Sequence, residues 1–356
     1  MRVVTAAEII RGIPLFDGLA PSEIEGVLCV CERVRFEPAA CLMRQGQPAD
    51  SAFILESGSV DVTTRLPGGG EARVATLAPG SVIGEMALLD SGLRSATVVA
   101  REAAVGYFLE RDGFHMMLAQ RNRAAFTIHA RITRTLCQRL RELHATIITW
   151  DALKSGTPAI GESRAIPATA QRGQPSYDYR AFLPLLPPFR NFSTAEIEAF
   201  AALAGALELG RGQQLFRQGE PGAACHVVVR GAVEVTVAQV GLRHRVGVLG
   251  PGRLCGVIAL IEGRPHSMSA VVRERATLLE IEKAAFDRLF NGTDRIAARF
   301  QNAVSHDLLQ ALARTNNHLT RLISQARIRR GRRQTKQEEE LQRALGAQDV
   351  MPKMEG

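Results

Sequence analysis

Residues 77–100 read LAPGSVIGEMALLDSGLRSATVVA, and residues 249–272 read LGPGRLCGVIALIEGRPHSMSAVV. The two stretches align without a gap at an offset of 172 residues. Working outward, RQGQPADSAFILESGSVDV from Arg44 matches RQGEPGAACHVVVRGAVEV from Arg217, and IPLFDGLAPSEIEGV from Ile13 matches LPPFRNFSTAEIEAF from Leu186. Both of these pairs are offset by 173, so a single residue slips near Pro67-Gly68-Gly69-Gly70. Matching order at a long, fixed period signifies two globular copies; a solenoid would repeat every 20–50 residues or so.

Each copy carries the same pattern. A short N-terminal helix comes first, with Ser22 and Thr194 as its expected caps. Short β-rich runs follow, in the first copy Phe53-Ile54-Leu55, Val60-Asp61-Val62, Arg73–Leu77 and Ala96–Val99, punctuated by Gly46, Gly58, Gly80 and Gly84. Frequent short strands between turn residues predict a jelly-roll barrel. A long amphipathic helix closes each copy. Leu136, Leu140, Leu143, Ile147 and Trp150 form one stripe, and Val304, Leu308, Leu312, Leu319 and Leu322 the other.

The predicted organisation is a first domain over 1–150, a flexible linker over 151–181, a second domain over 182–325 and a charged tail over 326–356. The linker assignment rests on its Gly, Pro, Ser, Ala and Gln content.

Composition excludes several classes. The 356 residues are 46% apolar and 22% charged, which is ordinary for a globular protein and argues against wholesale disorder. No apolar run reaches the roughly 20 residues of a membrane span, and MRVVTAAEIIRG lacks a signal-peptide core. Cys29, Cys31, Cys41, Cys137, Cys225 and Cys255 form no CxxC pair or zinc-ligand spacing, so reduced thiols in a cytoplasmic protein are expected and no metal site is. His226 beside Cys225 reads as part of a strand. There is no nucleophile elbow, P-loop, kinase motif or HExxH, so an enzyme is not expected.

The chemistry-bearing stretch is Gly84-Glu85-Met86-Ala87, followed by Arg94-Ser95. A glycine turn opening a short helix presents backbone N–H donors. Arg94 can return to that turn with a forked, permanently charged donor set, and Ser95 adds a hydroxyl. Together they suit a small phosphate. Glu85 belongs beside an anion only if the ligand also carries a hydroxyl, as a ribose phosphate does. A surface turn with a Glu–Arg ion pair is the alternative.

GEMALLDSGLRSATVVA resembles the phosphate-binding cassette of the cyclic nucleotide-binding domain family, which includes the catabolite activator protein and the regulatory subunits of cyclic-nucleotide-dependent kinases. The resemblance extends over about residues 10–150 and 182–325. It implies two jelly-roll β-barrels, each with an N-terminal helix and a long closing helix. It also implies that Glu85 accepts from a ribose hydroxyl and that Arg94 pairs with a cyclic phosphate. The backbone at Met86 and Ala87 would reach phosphate oxygens, Gly84 would allow close approach, and Ser95 would bind phosphate or base. The ligand is cAMP ahead of cGMP, and a base cap is expected near Leu143 and His144, His144 itself being expected to face solvent.

In the second copy Gly256 and Ser267 match Gly84 and Ser95, but Val257 replaces the glutamate and His266 the arginine. This cassette is expected to be degenerate, with Arg264 a weak substitute for the lost cation. The resulting reading is a non-enzymatic, cytoplasmic and bacterial cyclic nucleotide sensor. It signals through closing-helix movement to a protein partner, and a homodimer through the closing helices is an added expectation.

The net charge of +8 opens a second reading. Arg321, Arg327, Arg329, Arg330, Arg332, Arg333 and Lys336 precede Glu338-Glu339-Glu340, and such a basic tail could contact nucleic acid. The expected helix-turn-helix pattern is missing from it, so DNA binding is the minority reading. A non-binding dimerisation scaffold is the third.

Overall fold

The computed structural model describes residues 10–65, 71–152, 177–239 and 242–330. The turn at Pro67–Gly70, most of the linker and the tail beyond Arg330 lie outside them. By packing, the chain divides into two compact units. Residues up to Thr135 group with those from Asn316 onward, and Leu136–Thr315 form the other unit.

The first unit starts with α1 (Pro21–Leu28). Its N-cap is Ala20, not Ser22: the Glu23 carboxylate accepts from the Ala20 N–H at 2.8 Å and satisfies the helix entry from the inside. Ten strands follow: β1 (Cys31–Phe36), β2 (Cys41–Met43), β3 (Pro48–Ala49), β4 (Ser51–Ser57), β5 (Val60–Arg65), β6 (Glu71–Leu77), β7 (Val82–Ile83), β8 (Gly92–Leu93), β9 (Thr97–Ala100) and β10 (Ala104–Glu110). They pair antiparallel as β1-β10-β4-β7 and β2-β9-β5-β6, with β3 against β8. This is the jelly-roll barrel that the alternating runs predict.

Between the two sheets lie Phe53, Leu55, Val60, Val62, Ile83 and Val98. The opposite face of β4, through Ala52 and Ile54, joins a second core with Phe16, Ile24, Phe114 and Ile128 from the surrounding helices. Strand β4 is thus buried on both faces, which is why its stretch AFIL, Ala52 to Leu55, is a continuous apolar run. Gly58 turns the chain from one sheet into the other at φ 83°. A Cβ there would come within 2.2 Å of the Ala103 carbonyl oxygen, so the corner requires glycine. Helices α2 (Arg111–Ala119) and α3 (Arg123–Ala152) close the first copy.

The second copy repeats the plan. Helix α4 (Thr194–Ala201) is capped by Ser193, one residue before the expected Thr194. Ser193 Oγ accepts from the Glu196 N–H at 3.3 Å, and Glu196 accepts from the Ser193 N–H at 2.7 Å, a reciprocal capping box. The strands are β11 (Gly205–Leu209), β12 (Gln214–Phe216), β13 (Ala224–Gln239), β14 (Leu242–Leu249), β15 (Leu254–Cys255) and β16 (Ser269–Glu282), with α5 (Val257–Glu262) before β16. Here β13 and β16 each run through both halves of the barrel. Gly231, 173 residues after Gly58, marks the same corner at φ 85°, with the Arg275 carbonyl oxygen 2.3 Å from where a Cβ would stand. Helices α6 (Lys283–Asn291) and α7 (Arg295–Arg330) follow.

The stripe residues Leu136, Leu140 and Leu143 of α3 and Val304, Leu308, Leu312 and Leu319 of α7 are buried within the chain's own packing. The residues of α3 from Leu136 onward belong to the second compact unit, although the helix begins in the first. Arg321, Arg327, Arg329 and Arg330 of the basic stretch lie on α7. All six cysteines are free. Among the described residues no helix is long and apolar enough to cross a membrane, and no cluster of three metal-ligating side chains occurs.

Candidate functional site

The site of the first unit is built where β7 runs into the cassette. Gly84 takes the left-handed conformation at φ 72° and opens a 3-10 turn, Glu85–Leu88. Next, β8 turns the chain back. The Arg94 N–H donates to the Gln47 carbonyl at 2.8 Å, and the Gly46 N–H to the Arg94 carbonyl at 2.9 Å. These two backbone bonds return the arginine, ten residues on, to the turn it left.

A Cβ on Gly84 would lie 2.5 Å from Arg94 Nη1 and 3.2 Å from the Ser51 carbonyl oxygen. The missing side chain is what lets the guanidinium sit against the backbone. Arg94 is 6% exposed. Its Nη1 donates to the Ser51 carbonyl at 2.6 Å, and its Nη2 to Ser51 Oγ at 2.9 Å and Asp50 Oδ1 at 3.2 Å. A buried guanidinium, held in a fixed plane at a glycine turn, suits an anion that can take parallel hydrogen bonds.

Glu85 is fully buried in the same turn. Ser95 Oγ is shielded from solvent and makes no hydrogen bond. A ribose phosphate fits this set: a fork of cationic donors, a spare hydroxyl and a buried carboxylate acceptor. The Ala87 N–H is directed at the Gly84 carbonyl at 3.0 Å and closes the turn. Of the two backbone donors expected to face a ligand, that one is engaged locally.

Asp50 and Ser51 escaped the sequence reading, yet they orient the arginine. A signal was available, because the second copy carries Ala223 and Ala224 at these positions alongside its lost arginine. The exposure expected of His144 is corrected. Leu143 and His144 belong to the second compact unit. His144 is half-buried, its Nε2 3.4 Å from Thr315 Oγ1, and burial pushes its pKa down to about 4, so it does not face solvent as expected.

The second cassette keeps the backbone and changes its contents. Gly256 stands at φ 85°, the His266 N–H donates to the Glu220 carbonyl at 2.9 Å, and the Gly219 N–H donates to the His266 carbonyl at 2.8 Å. The carbonyl of Ala224 lies 3.2 Å from the Gly256 Cβ position, as that of Ser51 does from Gly84. In the arginine's place, however, the His266 ring stacks on Phe216 with centroids 3.8 Å apart and planes 9° off parallel. Burial pushes His266 down to about 4, so it is neutral at pH 7. Val257 is buried where Glu85 stands in the first copy, and Ser267 follows His266 as Ser95 follows Arg94. Arg264 is solvent-exposed and does not replace the lost cation. Nearby, His226 Nε2 lies 3.4 Å from Glu280 Oε1, a cross-strand pair between β13 and β16.

The chain is similar to known proteins. The profile of the cyclic nucleotide-binding domain matches residues 33–121 and again 206–293. The chain is 37% identical over 115 residues to the acetyltransferase Pat of Mycolicibacterium smegmatis, covering 32% of this chain and 34% of that protein. It is 35% identical over 132 residues to the cyclic AMP receptor protein of Thermus thermophilus, covering 37% and 59%. It is 24% identical over 292 residues to the cAMP-dependent protein kinase regulatory subunit of Mycosarcoma maydis, covering 77% and 46%. The chain thus spans between a third and three fifths of the length of these relatives. Among solved structures, the regulatory domain of Toxoplasma gondii PKA with cAMP matches at 20% identity and a TM-score of 0.32, covering 87% of this chain and 95% of that one. With the family profile matched in both halves, this chain belongs to the cyclic nucleotide-binding domain family, in two tandem copies.

Proposed function

We propose that the protein is a regulatory cyclic nucleotide sensor whose first cassette alone binds ligand, with cAMP preferred to cGMP. The observation that carries this reading is the contrast between the cassettes. In one, a buried arginine lies against the glycine turn beside a buried glutamate. In the other, a neutral histidine stacked on phenylalanine fills the same backbone frame. In the first cassette Arg94 and Ser95 pair with the cyclic phosphate, and Glu85 accepts from the ribose hydroxyl. Two relatives named for cAMP support the choice of nucleotide.

The role is regulatory, not catalytic, and the protein works in the cytoplasm. Filling the first cassette shifts α3 between two positions, which requires different ligand affinities in the two states. The output passes to a protein partner.

Calorimetric titration of the full chain with cAMP and with cGMP tests this. One site per chain with tighter binding of cAMP is expected. No heat with either nucleotide would sink the proposal, and two equal sites would remove the claim that the second cassette is silent.

A further inference from the structure

The second cassette is held by a residue of α3. Arg141 Nε donates to Glu262 Oε2 at 2.7 Å, and Nη2 pairs with the same oxygen. Nη1 and Nη2 each lie 3.4 Å from the Pro265 carbonyl oxygen. Glu262 is the last residue of α5, and Pro265 immediately precedes His266. One guanidinium therefore bridges the end of the cassette helix and the loop that carries the stacked histidine. The Glu262 side chain is only 3% exposed, and its other oxygen, Oε1, is buried without a hydrogen bond. Arg141 is thus the charged partner that makes burial of this carboxylate tolerable. In the first cassette Asp90 occupies the position of Glu262 and accepts from the Ser91 N–H at 2.8 Å.

We infer that the second cassette has changed from a ligand pocket into a latch for α3, with Arg141 as the bolt and Glu262 and the Pro265 carbonyl as the catch. The inference deepens the sensor reading and rests on its claim that ligand in the first cassette moves α3. A shift of α3 must either carry α5 and the His266 loop with it or withdraw Arg141. Withdrawal would leave a buried carboxylate without its cation, which disfavours intermediate positions and makes the contact two-state. The stacked Phe216 and His266 give the loop a packed support where a nucleotide phosphate would otherwise be needed.

The test uses the full chain as wild type, Arg141→Ala, Glu262→Gln and the double variant. It combines cAMP calorimetry with hydrogen exchange of residues 257–266. Without ligand, Arg141→Ala should raise exchange in that segment. With cAMP, the wild type should change its exchange there and Arg141→Ala should not. The first-site affinity should shift by about fivefold or more in each single variant, the lower end of ordinary coupling between sites. The double variant should shift it by less than the sum of the singles, because both substitutions act on one shared contact.

Unchanged ligand-free exchange in Arg141→Ala, with Glu262→Gln also silent, overturns the latch whatever the nucleotide does. Tight cAMP binding that leaves residues 257–266 and all variant affinities unaltered overturns the coupling while the sensor reading stands. Absence of nucleotide binding to the wild type overturns the sensor reading and the coupling together, and the ligand-free exchange then decides the latch alone.

Discussion

The two cassettes of this chain have the same backbone and opposite interiors. Both open on a left-handed glycine and both bring position ten after it back through the same pair of backbone hydrogen bonds. In the first, Ser51 and Asp50 hold an arginine and Met43 lies against the glycine; in the second, Phe216 stacks on a histidine, with Ala224 and Ala223 in place of the serine and aspartate. The frame is set by glycines and main-chain bonds, which side-chain changes leave intact. Ligand chemistry is set by a few side chains, which can be lost without unfolding the barrel. A duplicated domain can therefore keep its architecture while the side chains of its cassette change.

The sharpest way to break this comparison is Arg94→Ala. Two charge-assisted hydrogen bonds at about 1.5–3 kcal/mol each correspond to roughly a 10²–10⁴-fold loss of cAMP affinity. His266→Ala should leave the cAMP titration unchanged. Equal losses in the two variants would mean that the cassettes are not functionally distinct.

A graft asks whether the frame is still competent. Phe216→Met, Val257→Glu and His266→Arg together should add a second, weaker equivalent of cAMP per chain in calorimetry. A stoichiometry that stays at one would place the remaining deficit in Ala223 and Ala224, which cannot hold the new guanidinium.

Glu85→Gln should have a smaller effect. It keeps an acceptor for a hydroxyl but removes the charge, about 1–1.5 kcal/mol or roughly tenfold in affinity. Binding by 2′-deoxy-cAMP should then be insensitive to the substitution, because the bond it weakens is absent from that ligand.

The smallest effect is on stability. His266 and His144 both have folded pKa values lowered to about 4, so between pH 6.5 and 4 the unfolded chain binds more protons and acid weakens the fold. Asp307 on α7 works against them. Burial raises it to about 7, so from pH 7 down to about 4 the folded chain takes up its proton first. Two histidines against one carboxylate predict a lower melting temperature at pH 5 than at pH 7. The drop should shrink in His266→Leu, and an unchanged drop would remove His266 from the account.

The resemblance of GEMALLDSGLRSATVVA to the family cassette, more than spacing, pointed to Gly84, Glu85 and Arg94. The gap between Gly84 and Arg94 is long enough for the strand reversal that returns the arginine, and the same gap in the second copy exposed Val257 and His266 as departures. The helix caps were less legible. Ser22 has the right chemistry, but Glu23 satisfies the turn from inside and Ala20 serves as the cap, while Ser193 outranks Thr194 because the Glu196 box fixes its register. Phe216 could not be linked to His266 by sequence proximity, since 50 residues separate them and it is the β12–β16 pairing that brings Phe216 beside Ala270, just after the His266 loop. His144 read as a surface residue because Thr315, its neighbour in space, lies 171 positions away.

By itself the sequence determined the duplication, the barrel class and which cassette carries the glutamate and arginine of the family pattern. Those properties follow from local rules: glycines where φ must be positive, apolar runs where a strand is buried, and a permanent cation where an anion binds. Only the tertiary structure decided how Asp50 and Ser51 aim Arg94, what fills the second cassette, and that α3 reaches Glu262 through Arg141. Those are contacts between residues far apart in the chain. They depend on packing, which no local pattern of residues encodes.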